Sequence, residues 1–252
     1  MSNGVRELDG QVALVTGSAK NIGRAINLAL ADAGAKVVVN ALTSRAEAQQ
    51  LVEEINGAGG EAMAHIADIR DPQAVQSMVA ATVERFGGLN ILINNASLRQ
   101  LLPLDEMTLE QWRAVFAVTV EGAMLCTVAA LPHLRASGNG TVINISGIAS
   151  QLGVKDRLHA ATANAALEGM VRSLAHELAP NGVTANAISP GMIDTVRGAT
   201  AGKIPASIAA AGNLLGRKGR PEEIAAMVRA LCGPAGRYVT GQTICVHGGM
   251  YF

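Results

Sequence analysis

The chain has 252 residues, of which 49% are hydrophobic, 16% are charged and 2% are aromatic. This length suits one α/β domain with a large core, which must be aliphatic. Basic and acidic residues both number 20, so the net charge is zero, and no charge block points to a nucleic acid or a solvating tail. A neutral chain with a mean hydropathy of +0.27 is more often an oligomer than a monomer, because it must cover apolar surface.

The three cysteines, Cys126, Cys232 and Cys245, lie far apart in apolar runs. We expect small buried hydrophobes there, with no disulfide and no metal site. The N-terminus has no apolar signal region, and no apolar run approaches the ~18–20 residues of a membrane span. The expected location is therefore cytoplasmic, without membrane association.

Short apolar runs alternate with helical patterns along the whole chain. In chain order they predict strand Gln11–Thr16, helix Arg24–Ala33, strand Lys36–Asn40, helix Ser44–Ile55, strand Glu61–Ile66, helix Pro72–Phe86, strand Asn90–Ile93, helix Thr108–Arg135, strand Thr141–Ile145, helix Ala160–Leu178, strand Val183–Ile188, helix Pro221–Leu231 and strand Gln242–Val246. This alternation indicates a parallel, doubly wound sheet buried on both faces. Residues 1–252 form one expected domain, and a stretch without a core pattern, about 190–220, is the expected substrate lid.

A glycine-rich turn, Thr16–Gly23, connects the first predicted strand to the first helix. Its small residues allow a tight turn and let backbone N–H groups reach an anion, and the helix N-terminus adds partial positive charge. Ligands of doubly wound sheets bind beyond the carboxyl ends of the strands. The turn therefore favours a dinucleotide pyrophosphate, although glycine also serves bare strand–helix turns.

Several ordered motifs resemble those of the classical short-chain dehydrogenase/reductase family, in particular its 3-oxoacyl-ACP-reductase-like members. They are Thr16–Gly23 (T-G-x-x-x-G-x-G, with Asn21 in place of the middle glycine), Asp68 near the adenine, Asn94–Ser97 (N-N-A-G, here NNAS), Pro190–Thr195 (P-G-x-x-x-T) and the C-terminal Thr240–Gly249. The resemblance covers nearly the whole chain. It implies a single Rossmann-type domain, with a seven-stranded parallel sheet in the order 3-2-1-4-5-6-7 and helices on both faces.

The resemblance also implies a nicotinamide cofactor, and Asn40 favours NADP over NAD. An acidic residue after the second strand would bind the adenosine ribose and repel a 2′-phosphate. Asn40 is uncharged, and Thr43, Ser44 and Arg45 follow as phosphate ligands, although a solvated charge at a helix start explains Arg45 nearly as well. The implied cofactor-binding residues are Gly17, Ser18, Asn21, Ile22, Gly23, Asn40, Ser44, Arg45, Asp68, Ile69, Asn95, Ala96, Ser97, Asn164, Pro190, Gly191, Ile193 and Thr195.

The family's reductases use an Asn, a Ser, a Tyr and a Lys. The Tyr exchanges the proton, the Lys lowers the Tyr pKa, the Ser polarises the carbonyl and the Asn holds a relay water. The matching positions here are Thr119, Gly147, Ala160 and Asn164, and the flanking sequence needs no gap. With all four residues replaced, carbonyl reduction should lose the ~10²–10⁴-fold contribution of acid–base catalysis. Asn164 could still hydrogen-bond a ribose hydroxyl.

Two neighbouring residues could supply the proton instead. His159 has a suitable pKa, but adjacent helical residues point about 100° apart, which favours a surface or helix-start histidine. Ser146 should face away from the site, as a structural hydroxyl bonded to backbone. Arg99, Arg157 and Arg197 are expected at the mouth of the site, either against an anionic substrate or, as favoured, as solvated charges.

Three functions follow from this pattern. The favoured one is an NADP(H)-dependent oxidoreductase that acts on a carbonyl or alcohol with a displaced or water-supplied acid. The alternatives are a lyase, isomerase or dehydratase that uses no cofactor in turnover, and a catalytically silent, cofactor-binding partner subunit. The resemblance implies a homotetramer or dimer through the helices after strands four and five and the C-terminal segment, or a hetero-oligomer with an active relative. The expected ligand is a small-molecule substrate.

Overall fold

The computed structural model describes residues 6–196 and 212–251. Within these residues the strands are β1 (Val12–Val15), β2 (Lys36–Ala41), β3 (Ala62–Ile66), β4 (Ile91–Asn94), β5 (Thr141–Ile145), β6 (Thr184–Pro190) and β7 (Thr243–Val246). They form one parallel seven-stranded sheet in the order β3-β2-β1-β4-β5-β6-β7. The predicted fold class and strand order are therefore confirmed.

The helices lie on both sides of this sheet: α1 (Asn21–Asp32), α2 (Arg45–Gly57), α3 (Pro72–Phe86), α4 (Leu109–Phe116), α5 (Gly122–Ala136), α6 (Ala149–Leu152), α7 (Leu158–Leu178) and α8 (Pro221–Cys232). A π-helical turn, Ala117–Glu121, joins α4 to α5, where the sequence predicts one regular helix. The short α6 occupies a predicted loop, and α7 begins two residues before its predicted start at Ala160.

Alternating side chains of the strands build one core on each face of the sheet. In β1, Ala13 and Val15 join the core formed with α1, α2 and α8, whereas Val12 and Leu14 join the core formed with α3, α5 and α7. None of these four side chains is more than 2% exposed. Burial on both faces explains the continuous apolar runs of the strands, so polar side chains gather at the strand ends.

Local chemistry sets the ends of α3, whose bounds match the predicted ones. The Asp71 carboxylate accepts a hydrogen bond of 2.9 Å from the Gln73 N–H, and Pro72 occupies the first helical position, where no N–H is needed. Gly87 ends the helix with a φ of 86°, in the left-handed region. These are signals that the sequence alone displays.

The cysteines only partly match the expectation. Cys126 and Cys232 are buried and free; burial raises the pKa of the Cys126 thiol to about 12 and also raises the pKa of Cys232. Cys245 is exposed, so its expected burial is wrong: β7 is the edge strand and has only one neighbour. In the part of the chain that the structure describes, no group of three or more His, Cys, Asp and Glu side chains could hold a metal ion.

One helical stretch, Leu109–Ala136, contains an 18-residue window with a mean hydropathy of 2.0, and by length and composition alone it could cross a membrane. The expectation that no apolar run approaches this length is therefore corrected. Val115, Cys126, Ala130 and Leu134 of this stretch are fully buried in the protein. A core position on one helix face accounts for much of its apolar composition.

Candidate active site

Two connected depressions lie beyond the carboxyl ends of the strands. The outer cleft, of about 380 Å³, is lined by Gly17, Lys20, Asn21, Ile22, Gly23, Asn40, Leu42, Ala67, Asp68, Ile69, Arg70, Asn95, Ala96, Ser97, Leu98, Arg99, Val118 and Val196. The inner cavity, of about 150 Å³, is lined by Ile22, Asn95, Ser97, Arg99, Ile145, Ser146, Gly147, Ile148, Ala149, Arg157, Ala160, Asn164, Pro190, Gly191, Met192, Ile193, Thr195 and Lys218. The two share four lining residues, so a ligand of the outer cleft would reach the inner cavity.

Most residues implied as cofactor ligands line one of these depressions. Three of them do not: Ser18, Ser44 and Arg45. The Ser18 hydroxyl is fully buried and donates to the Val15 carbonyl at 2.7 Å. Arg197 lies outside the described residues, as does the rest of the expected lid up to residue 211.

The glycine-rich turn approaches the end of β4 closely. At Gly17, which has a φ of +59°, a Cβ atom would lie 2.8 Å from the Ala96 Cα, a backbone atom that cannot yield. Asn95, which follows β4, also holds the turn close to this strand, because its side-chain amide donates to the carbonyls of Thr16 and Gly17 at 2.9 and 3.0 Å. Only glycine fits here, and its lack of a side chain leaves the backbone open to a ligand.

Asn40 fixes the turn from the other side. Its Oδ1 accepts the Gly17 N–H at 3.1 Å, and its Nδ2 donates to the carbonyls of His65 and Ala67, both at 3.2 Å. The residue is only 1% exposed, so its amide is used within the protein. The structure thus assigns Asn40 to holding the turn, and the residue is also part of the lining of the outer cleft; Leu42 is the β2-end side chain exposed at the cleft.

Asn21 explains how an asparagine replaces the middle glycine of the turn. It takes a positive φ of 53°, which asparagine tolerates better than most residues. Its side chain also bonds both ways with the Val196 backbone: Oδ1 accepts the N–H at 2.9 Å and Nδ2 donates to the carbonyl at 3.0 Å. Asn21 therefore ties the turn to the segment that follows β6.

The outer cleft carries more positive than negative charge. Its described charged residues are Lys20, Arg70 and Arg99 against the single carboxylate of Asp68. Arg70 Nη2 lies 2.6 Å from Asp68 Oδ2, and this contact lowers the pKa of Asp68. Lys20, which the sequence motifs do not single out, lies 2.6 Å from Glu47 on α2. The position of Lys20 within the glycine-rich turn is the sequence signal that could have identified it as a cleft residue.

Three of the four tetrad positions meet in the inner cavity. Gly147, Ala160 and Asn164 line it, whereas Thr119 is 3% exposed and lies within the π-helical turn. A Cβ atom on Gly147 would lie 3.0 Å from Asn164 Nδ2. The Asn164 amide thus lies over the space that a side chain at position 147 would occupy.

Ser146 faces the inner cavity but has internal partners. Its hydroxyl lies 3.1 Å from the Ile188 carbonyl and 3.1 Å from Glu168 Oε1. Ser150 also donates to that carboxylate oxygen, at 2.6 Å. The backbone bond agrees with the structural role expected for Ser146, and the bond to Glu168 is one that the sequence did not predict.

His159 is fully buried, so its interpretation as a surface histidine is wrong, although its place in the first turn of α7 is confirmed. It is absent from the described lining of the inner cavity, and within the described residues neither ring nitrogen has a hydrogen-bond partner. Desolvation and the nearby Arg157 lower its pKa. A neutral histidine turned away from the cavity is a poor proton donor.

The sequence is similar to those of known proteins over nearly its whole length. Residues 17–251 match the family model "Enoyl-(Acyl carrier protein) reductase". The chain is 39% identical, over 96% of its length and 98% of the relative's, to a 3-oxoacyl-[acyl-carrier-protein] reductase of Synechocystis sp.. It therefore belongs to the short-chain dehydrogenase/reductase family of NAD(P)-dependent oxidoreductases.

Two solved structures show the same fold. A short-chain dehydrogenase of Burkholderia cenocepacia in complex with NADP has a TM-score of 0.89 and 34% identity, with 97% of this chain and 99% of that chain covered. A blue fluorescent protein from a metagenomic library, in complex with NADPH, has a TM-score of 0.90 and 34% identity, with 98% and 100% covered. Both similarities extend over essentially the whole fold.

The role of Asn40 can be tested with Asn40→Asp. The new carboxylate would face the His65 and Ala67 carbonyls in place of two donors, and a buried unpaired charge is costly, so we expect the unfolding free energy to fall by about 3 kcal/mol or more. Chemical denaturation measures this loss. Thr43→Asp, at an exposed neighbouring site, is the control and should change stability by less than about 0.5 kcal/mol. Undiminished stability together with a new preference for NADH would instead restore the interpretation of Asn40 as the cofactor selector.

The buried His159 should make the protein less stable in mild acid. Its folded-state pKa is lowered, so below the unfolded-state pKa of about 6.5 the unfolded chain binds more protons and stability falls as pH decreases. His159→Leu should weaken this dependence in melting temperatures measured from about pH 7.5 to about pH 5. Some dependence should remain, because burial also lowers the pKa of His65. An identical pH profile in the variant would contradict the assignment.

Proposed function

We propose that this protein is an NADP(H)-dependent oxidoreductase of a carbonyl or alcohol substrate, with a proton donor other than the family's tyrosine. The observation that carries the cofactor preference is the charge of the outer cleft, where Lys20, Arg70 and Arg99 outnumber the carboxylate of Asp68. NADP carries one phosphate more than NAD, so a cationic cleft favours it. The similar structures that bind NADP and NADPH support the same preference.

The residues present fit such a cofactor. The bare backbone at Gly17 and the start of α1 suit a pyrophosphate. Lys20, within the turn, pairs with Glu47 of α2, the helix that follows β2. Dinucleotides of this fold place the adenosine ribose near the end of that strand, so Lys20 is the residue we assign to the 2′-phosphate. When bound, the nicotinamide would supply or accept a hydride.

The chain must handle the accompanying proton without a tyrosine. Ala160 has only a methyl group at the position of the family's Tyr, and the Asn164 amide lies over Gly147 at the position of the family's Ser. Asn164 has no charge with which to shift a neighbour's pKa. His159 does not face the cavity and Thr119 is buried. We therefore assign proton transfer to water in the inner cavity or to the substrate itself, with the Asn164 amide orienting a substrate oxygen.

The same replacements favour one alternative, a silent cofactor-binding subunit that pairs with itself or with an active relative.

We infer an oligomer, a homotetramer or dimer, through the outer face of the α4–α5 stretch. There, Leu109, Met124 and Val128 are 60%, 44% and 59% exposed, although all are apolar. Val128 also borders a groove with Pro72 and Pro132 between α3 and α5. Apolar exposure of this kind is typical of an interface.

Lys20→Ala tests the cofactor assignment. Loss of a charge-assisted contact should weaken NADPH binding by roughly 10- to 100-fold, but NADH binding by less than about 3-fold. Fluorescence titration of both cofactors measures the effect. Arg24→Ala is a matched control, because Arg24 also pairs with an α2 carboxylate, Glu54, but does not line the outer cleft. Equal losses for both cofactors, or none, would exclude this role for Lys20.

The oxidoreductase itself is tested by NADPH oxidation with a panel of ketones and an acetoacetyl thioester. We expect turnover by the natural chain, slower by about 10²-fold or more than in the combined variant Thr119→Asn, Gly147→Ser, Ala160→Tyr, Asn164→Lys. The four changes belong together, since a serine side chain at position 147 would displace the Asn164 amide. Tight NADPH binding with turnover only in the quadruple variant would identify a silent subunit, and full activity of cofactor-free protein would identify a non-redox enzyme.

A further inference from the structure

The described lining of the inner cavity carries three cationic side chains and no carboxylate: Arg99, Arg157 and Lys218. They come from three separate segments, the loops after β4 and before α7 and the segment before α8. Scattered solvated charges, as favoured by the sequence, would not be expected to converge on one cavity. Their convergence in a chain with no net charge indicates a local field that attracts anions.

Backbone hydrogen bonds join each of these segments to a neighbouring one. The Leu102 N–H donates to the Asp156 carbonyl at 2.9 Å, which joins the loop of Arg99 to the loop of Arg157. Gly219, next to Lys218, donates to the Met192 carbonyl and accepts from the Asp194 N–H, both at 2.8 Å. The fold therefore sets the backbone positions from which these three side chains extend.

The described partner of Lys218 is a carboxylate. Lys218 pairs with Asp194 at 2.9 Å, but the Asp194 side chain is 70% exposed and lies in water, where an ion pair is weak. Arg99 and Arg157 also take part in interactions within the protein. Arginine's planar fork matches a carboxylate or phosphate with two hydrogen bonds.

We infer that the inner cavity binds the oxyanion of a small carbonyl substrate, a carboxylate or a phosphate. This inference rests on the proposed function, because the reacting carbonyl would share the cavity with the anion. Arg157 and Arg99 bind the substrate's oxyanion, and the Asn164 amide, above Gly147, donates to its carbonyl oxygen.

Matched ligand pairs test this inference in protein saturated with NADP⁺, which cannot reduce a ketone. Calorimetry at low salt compares acetoacetate with methyl acetoacetate, and dihydroxyacetone phosphate with dihydroxyacetone. We expect the anion of at least one pair to bind about 10-fold or more tightly than its neutral partner. The pair that shows the preference distinguishes a carboxylate from a phosphate substrate.

Arg157→Gln should reduce that preference to about 3-fold or less, whereas Lys155→Gln, which removes a charge from an exposed site on the same loop, should leave it intact. If Arg157→Gln does not fold, Arg99→Gln and Lys218→Gln serve in its place. Equal affinities within both pairs, or a preference that survives all three substitutions, would overturn the inference. Repeating the titrations without NADP⁺ distinguishes anion binding from the proposed function. If NADP⁺ does not bind but the anion preference remains, only the proposed function is refuted.

Discussion

The Asn40 amide is the interaction on which the candidate site most depends. It connects Gly17 of the turn to the carbonyls of His65 and Ala67, so the ends of β1, β2 and β3 keep one spacing. Because these bonds are buried, each would be expensive to leave unmade. The backbone of the turn can then face the outer cleft with no rearrangement when a ligand binds, which lowers the entropic cost of binding.

The fold was predictable because its signals are local and repeated. Thr141–Ile145 and Pro72–Phe86 were found at their observed bounds, since a short apolar run and a helix with its cap are visible in sequence. The π-helical turn around Thr119 was not, because no residue type specifies a single irregular turn within a regular pattern. Cys245 was misjudged for a related reason: an edge strand and a central strand can have the same composition.

The site was less predictable because side-chain direction is a tertiary property. Asn40 follows the second strand, as a ribose ligand should, yet its amide turns inward to backbone carbonyls. His159 resembles an available acid, yet it is buried away from the cavity. Lys20 carried no motif of its own, and only the fold shows that it lies at the cleft. In each case the residue type was visible and its partners were not.

Both depressions have more positively charged than negatively charged side chains in their described lining. Five cations line them, namely Lys20, Arg70, Arg99, Arg157 and Lys218, and Asp68 is the sole carboxylate among the described lining residues. Two of these cations pair with carboxylates outside the described lining, Lys20 with Glu47 and Lys218 with Asp194. Confining positive charge costs free energy in the empty protein, and anionic ligands relieve that cost. At the candidate site, such a field would also stabilise negative charge on a bound oxygen atom, as preorganised charges do in low-dielectric sites.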